Sequence, residues 1–197
     1  MLWVAGSCLS SEQNRATVQA MLAARDRIGW TVLDLDYRPV LWPSERAARS
    51  AMSDVLSQAT VAVGNQKECE VAVGCKDPDR AADALLERGI DLAIVKLGAN
   101  GVLVATRETR ETFSAVPVDV VCGLGAGDAF GGALCHRLLA GDSLGGAVRF
   151  ASAAGAIVAS RLLCASAMPS ASEVEAALAG QALAAPTSTN KKSPRHR

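Results

Sequence analysis

The chain has 197 residues, half of them hydrophobic and a fifth charged, which is enough apolar mass for one sizeable core and a single domain. Twenty basic and twenty acidic residues cancel, so no global field points to nucleic acid or to an anionic membrane as partner. No apolar run approaches the roughly 20 residues that span a bilayer; six scattered cysteines and two histidines indicate neither a disulfide framework nor zinc, and reduced thiols in the cytoplasm are expected.

Residues 2–5 read as a short buried strand, too short and too lacking in basic flank for an export signal. Ser10 and Gln13 match a capping box ahead of a helix carried by Val18, Met21, Leu22 and Ile28 that stops near Gly29. Residues 31–35 form the next strand, and alternation puts Asp34 and Asp36 on one face. Polar groups at the end of a parallel strand sit where open α/β sheets place ligands. Arg38 comes next, and two readings are open: its fork holds a ligand carboxylate by two hydrogen bonds, or it pairs with Asp34 or Asp36 and fixes the loop.

Residues 44–58 have amphipathic spacing and 60–63 read as a strand. Asn65 and Glu68 form a capping box for the next helix. Asp77-Pro78 opens a helix to about Arg88, with Gly89 as its stop. Residues 91–95 form a buried strand, and Asn100-Gly101 is a hairpin signal leading into Val102. Residues 112–121 are expected to carry another strand to the Gly-rich stretch 122–130, Cys-Gly-Leu-Gly-Ala-Gly-Asp-Ala-Phe. Glycines there let backbone N–H groups converge on one anion, and the helix expected over 129–139 turns its positive end toward it. Asp128 at that helix start is either a proton acceptor beside an anion cradle or an ordinary cap. A small-residue helix over 144–161 and a short one capped by Ser170 and Glu173 complete the alternation of strands and helices, which indicates an α/β fold with a parallel sheet.

The Gly-Ala-Gly-Asp word at 125–128 resembles the signature of the ribokinase-like (PfkB) carbohydrate kinases; no Gly-Lys-Ser/Thr comes after it, so it is not a Walker A loop. The resemblance implies a ribokinase-like parallel-sheet core with flanking helices, ATP as cofactor with Mg2+, Asp128 as catalytic base against the substrate hydroxyl, and Gly125, Ala126 and Gly127 as the anion hole. It further implies nucleotide contacts from Asn65, Glu68, Lys96, Gly98 and Gly123, an indirect role for Glu68 toward magnesium, and Ser152 near the adenine. Asp-x-Asp-Tyr-Arg-Pro-x-Leu-Trp at 34–42 is similar to the ketodeoxygluconate kinases of that family, which implies an open-chain sugar acid whose carboxylate faces Arg38.

The resemblance runs from near Met1 to about Leu178 and corresponds to the later part of a typical member. The expectation is therefore a partial kinase domain over 1–183, N-terminally truncated with the lid absent, ending in a disordered polar tail over 184–197. Weak or absent turnover is expected without the lid, and dimerisation does not carry over, since the lid is the usual dimer surface in the family. Cys122 stands where the family often has an acid, and Ser152 where near relatives often have asparagine. Two other classes are weighed: a non-catalytic nucleotide-binding module, and a dinucleotide-binding oxidoreductase, which is disfavoured because no acid-tipped strand lies about 20 residues beyond the glycines.

Overall fold

The strand segments, all but the last, the exposed edge Arg110–Phe113, are largely apolar on both sides, because the sheet they form is covered on both faces. In the computed structural model, which describes residues 1–180, these are β1 (Leu2–Ala5), β2 (Thr31–Asp34), β3 (Val61–Asn65), β4 (Leu92–Lys96), β5 (Val102–Ala105) and β6 (Arg110–Phe113). They lie in the order β1-β2-β3-β4-β5-β6, so every strand neighbours its predecessor. The first four are parallel; β5 and β6 each turn back antiparallel, so the sheet is mixed rather than wholly parallel.

A monotonic order of parallel strands joined by right-handed crossovers sends all the connecting helices to one face. Those helices are α1 (Glu12–Arg25), α2 (Glu45–Leu56), α3 (Gln66–Val73) and α4 (Pro78–Glu87). Their apolar residues, Leu22, Met52, Val55, Cys69 and Leu85 among them, pack on Leu33, Ala62, Val95 and Leu103. The alternate strand residues Val32, Val63, Ile94 and Val104 face the other way, onto Phe130, Leu134 and Val148 of α5 (Ala126–Leu139) and α6 (Leu144–Ala159). A third cluster, with Ile157 and Val174, seats α7 (Ala171–Leu178) on α6.

Helix starts track the side chains that satisfy their first amides: Ser44 for α2, Asp77 with Pro78 behind it for α4, and a full capping box from Ser170 and Glu173 for α7. Four expectations shift. The cap of α1 is Ser11, which accepts from the Asn14 amide, because Gly6–Ser10 closes a 3-10 turn that consumes Ser10; α1 ends at Arg25 rather than near Gly29, with Asp26 left-handed. The strand expected over 112–121 stops at Phe113, and beyond it the amides of Val121 and Cys122 donate to Ala159 O of α6. Pro117 in this stretch has no amide to donate to a ladder. Helix α5 begins three residues earlier than expected, at Ala126. The tail expected over 184–197 lies outside the described residues.

One close approach joins β1 to the chain leaving β2. A Cβ on Gly6 would stand 2.3 Å from the Leu35 carbonyl oxygen, so only glycine lets the end of β1 pass beneath that chain. Ser7 is thereby brought beside Asp36.

Candidate active site

Four parallel strands end on one side of the sheet, and the loops leaving them gather there with the mouth of α5. A cleft of about 860 Å3 opens between them. Every site residue expected from the sequence lines it: Arg38 after β2, Asn65 and Glu68 at the β3–α3 junction, Lys96 and Gly98 after β4, Gly123 and Gly125 through Asp128 at the mouth of α5, and Ser152 on α6.

The cradle is built by backbone geometry. Gly125 is the N-cap of α5 with φ +83°, and a Cβ there would also stand 2.9 Å from Cys164 Cβ, so glycine is required on both counts. The Ala126 amide reaches back to Gly123 O at a long 3.3 Å, whereas no backbone acceptor among the described residues takes the amides of Gly127 and Asp128. These are the unpaired donors that a helix start presents, at the positive end of its dipole. Asp128 occupies the first turn of α5, exposed and lining the cleft. A Cβ on Gly127 would stand 3.5 Å from Lys96 Nζ, so this ammonium lies over the first turn of the helix.

Lys96 also approaches Glu68, with 3.9 Å between Nζ and Oε2. The same Glu68 oxygen accepts the Asn65 amide at 2.6 Å, while Asn65 Oδ1 accepts the Glu68 amide at 2.9 Å, completing the capping box. Helix capping thus leaves Glu68 facing the cleft with its Oε1 uncommitted among the described residues. The carboxylate suits a divalent cation that keeps several waters and takes one or two protein oxygens, although no cluster of three or more metal-ligating side chains occurs among the described residues.

In the loop leaving β2, Arg38 Nε donates to Asp36 Oδ1 at 2.7 Å, and Ser7 Oγ donates to Asp36 Oδ2 at 2.5 Å. Of the two partners open to Arg38, the structure selects Asp36 and not Asp34. Asp36, with Glu68 and Asp128 adding to it, holds the Arg38 guanidinium above its ordinary pKa. Ser152 Oγ is buried without a hydrogen-bond partner where α6 lines the cleft, one turn before Gly155, whose close approach to Ala126 O locks α6 against the mouth of α5.

Asp34 and Ser7 were not singled out as site residues by the sequence. Asp34 is only 9% exposed, and burial pushes its carboxyl from 3.8 up to about 6, against the pull of Lys96 and with the help of Glu68 and Asp36. A carboxyl raised in this way favours folding below its ordinary pKa and loses that contribution as the pH climbs through about 6. Asp34→Asn is therefore expected to stabilise the protein by roughly 1–3 kcal/mol at neutral pH and by nothing below pH ~4. Urea denaturation at the two pH values checks this, and a gain independent of pH removes the ionisation of Asp34 as its cause. Ser7 carries no local signal at all, since its role depends on β1 lying beside β2.

Among the described residues no helix is long and apolar enough to cross a membrane. The pfkB family carbohydrate kinase domain matches residues 1–171. A 5-dehydro-2-deoxygluconokinase of Photobacterium profundum is 34% identical over 176 residues, covering 86% of this chain and 53% of that enzyme. The fructokinase of Vibrio cholerae O395, solved in a fructose, ADP and calcium ion bound form, superposes with a TM-score of 0.82 at 27% identity, over 90% of this chain and 60% of that one. Aminoimidazole riboside kinase from Salmonella enterica, complexed with aminoimidazole riboside and an ATP analog, gives 0.80 at 26% identity over 89% and 61%. The chain spans about half the length of the curated relatives it matches.

Proposed function

The chain belongs to the pfkB family of carbohydrate kinases, and from that premise we propose that its cleft binds ATP and an open-chain sugar acid and transfers the terminal phosphoryl group to a sugar hydroxyl. The observation that carries the reading is the exposed carboxylate of Asp128 beside the unclaimed amides of Gly127 and Asp128, on a cleft shared with Lys96 and Arg38. Relatives named 5-dehydro-2-deoxygluconokinase favour 5-dehydro-2-deoxygluconate as substrate, which would place the reaction in myo-inositol catabolism, ahead of 2-dehydro-3-deoxygluconate.

In this reading Asp128 accepts the hydroxyl proton as the oxygen attacks phosphorus. The amides at the mouth of α5, over Gly125, Gly127 and the weakly engaged Ala126, hold the phosphoryl oxygens where charge develops. Lys96 contacts the nucleotide phosphates, with Asn65, Gly98 and Gly123 shaping that side of the cleft, and Ser152 donates its orphaned hydroxyl toward the base. Glu68 would indirectly steady a magnesium ion carried in with the nucleotide, which would supply neutralisation of the phosphate charge. Arg38 takes the substrate carboxylate. All six cysteines are unpaired, which supports a reducing, cytoplasmic setting.

Calorimetry with ATP and magnesium, and then ADP release in the presence of 5-dehydro-2-deoxygluconate, 2-dehydro-3-deoxygluconate and fructose, tests the assignment. Nucleotide binding with weak ADP release, strongest for the first acid, is expected. Nucleotide binding with no phosphorylation of any sugar acid, even with the N-terminal part of a family member supplied in trans, would make the chain a nucleotide-binding module instead.

A further inference from the structure

Arg38 is held by one nitrogen only. Its Nε is engaged by Asp36, and among the described residues the two terminal nitrogens make no hydrogen bond. The end-on edge of the fork, the one that matches a carboxylate by two parallel bonds, is therefore open on the cleft side. Asp36 is itself clamped: one carboxylate oxygen serves Arg38 and the other accepts from Ser7, and its side chain is only 17% exposed. Its backbone stands at φ +28°, a left-handed conformation that a residue with a Cβ adopts at a cost, next to the fully buried Leu35 whose amide is tied to Val63 O. Four carboxylates, Asp34, Asp36, Glu68 and Asp128, line the cleft against two cations, Lys96 and Arg38. By side-chain count acids outnumber bases there, so recognition of an anionic substrate depends on local geometry.

We propose that Ser7 and Asp36 are positioning residues that aim the open edge of Arg38 into the cleft, and thereby set the preference for a sugar acid over a neutral sugar. The proposal rests on Arg38 being the carboxylate partner, as assigned above. It conflicts usefully with a field-only account. Removing the Asp36 charge makes the cleft less negative and on that account should tighten binding of an acid, whereas loss of aim should weaken it.

Binding of 5-dehydro-2-deoxygluconate and of fructose is measured by calorimetry on the full chain with nucleotide present, for wild type, Ser7→Ala, Asp36→Asn and Arg38→Met. The expected result is a loss of sugar-acid affinity of about tenfold in Asp36→Asn and about threefold in Ser7→Ala, with fructose and ATP affinities within about twofold. Ser7→Ala changes no charge and keeps the test valid if Asp36→Asn folds poorly. A second readout needs no substrate: hydrogen exchange at the Arg38 Nε–H, monitored by NMR, is expected to be slow in wild type and faster in both variants. Unchanged or tighter acid binding in Asp36→Asn and Ser7→Ala, with Arg38→Met impaired, overturns the positioning pair and leaves the substrate assignment standing. Unimpaired acid binding in Arg38→Met, or none by the wild type, overturns the substrate assignment and the pair with it.

Discussion

Replacing Asp128 with asparagine is expected to lower the rate of phosphoryl transfer by about 10²–10⁴-fold while ATP affinity stays within a few-fold of wild type. The amide is nearly isosteric with the carboxylate and sits in the first turn of α5, where the backbone, not the side chain, shapes the cradle. What it cannot do is accept a proton from an alcohol. The nucleotide contacts proposed above lie on other segments, Lys96 after β4 and the amides at the helix mouth, and these groups survive the change. Calorimetry with ATP and a coupled ADP-release assay on the same preparation separate the two effects. Retained turnover would remove Asp128 as the base and reduce the α5 mouth to a binding feature.

The largest structural effect is expected at Gly101. It closes the turn between β4 and β5 with φ +95° and ψ −142°, a region only glycine enters readily, and a Cβ there would lie 1.9 Å from the Phe113 carbonyl oxygen on β6. Both partners of that collision are backbone, so no rotamer relieves it. Gly101→Ala is expected to cost about 3–6 kcal/mol, combining strain and overpacking, and to lower Tm by roughly 6–20 °C. Gly101 also accepts the Leu97 amide and donates to Gly98 O, so the disturbance reaches Lys96 and should weaken nucleotide binding alongside stability. A denaturation series showing a loss under about 1 kcal/mol would mean that β5 and β6 part easily and that the turn is not built as described.

Much of this architecture was legible because the signals were local. The Asn65–Glu68 capping box, Asp77-Pro78 and the glycines at 123–127 act within one turn of the chain, and the structure forms a helix start at each. The alternating valines and leucines of β2 to β5 declared strands because both faces of the sheet are covered. The stretch after Phe113 misled for the opposite reason. Val116, Val118 and Val120 alternate as a strand does, yet among the described residues no strand lies beyond β6 to receive them, and they become an irregular wall of the cleft instead. Ser7 was invisible since it works across 29 positions of sequence, through an adjacency that only the folded sheet creates. The buried state of Asp34 was hidden likewise: a strand-ending aspartate reads as solvated until the elements over it are in place.

Because the parallel strands succeed one another in order, the chain that leaves β2 for α2 runs between β1 and β3 and buries only Leu35 and Trp42 in the core. Segment 35–44 carries Arg38, whereas Asp128 lies far downstream on α5 and on the opposite face of the sheet from α2. On the function proposed above, exchanging that segment with one from a kinase of different taste would retarget the protein while leaving Asp128 and the mouth of α5 in place. The graft would need a companion change at position 7, the foreign anchor on which the donated loop must moor.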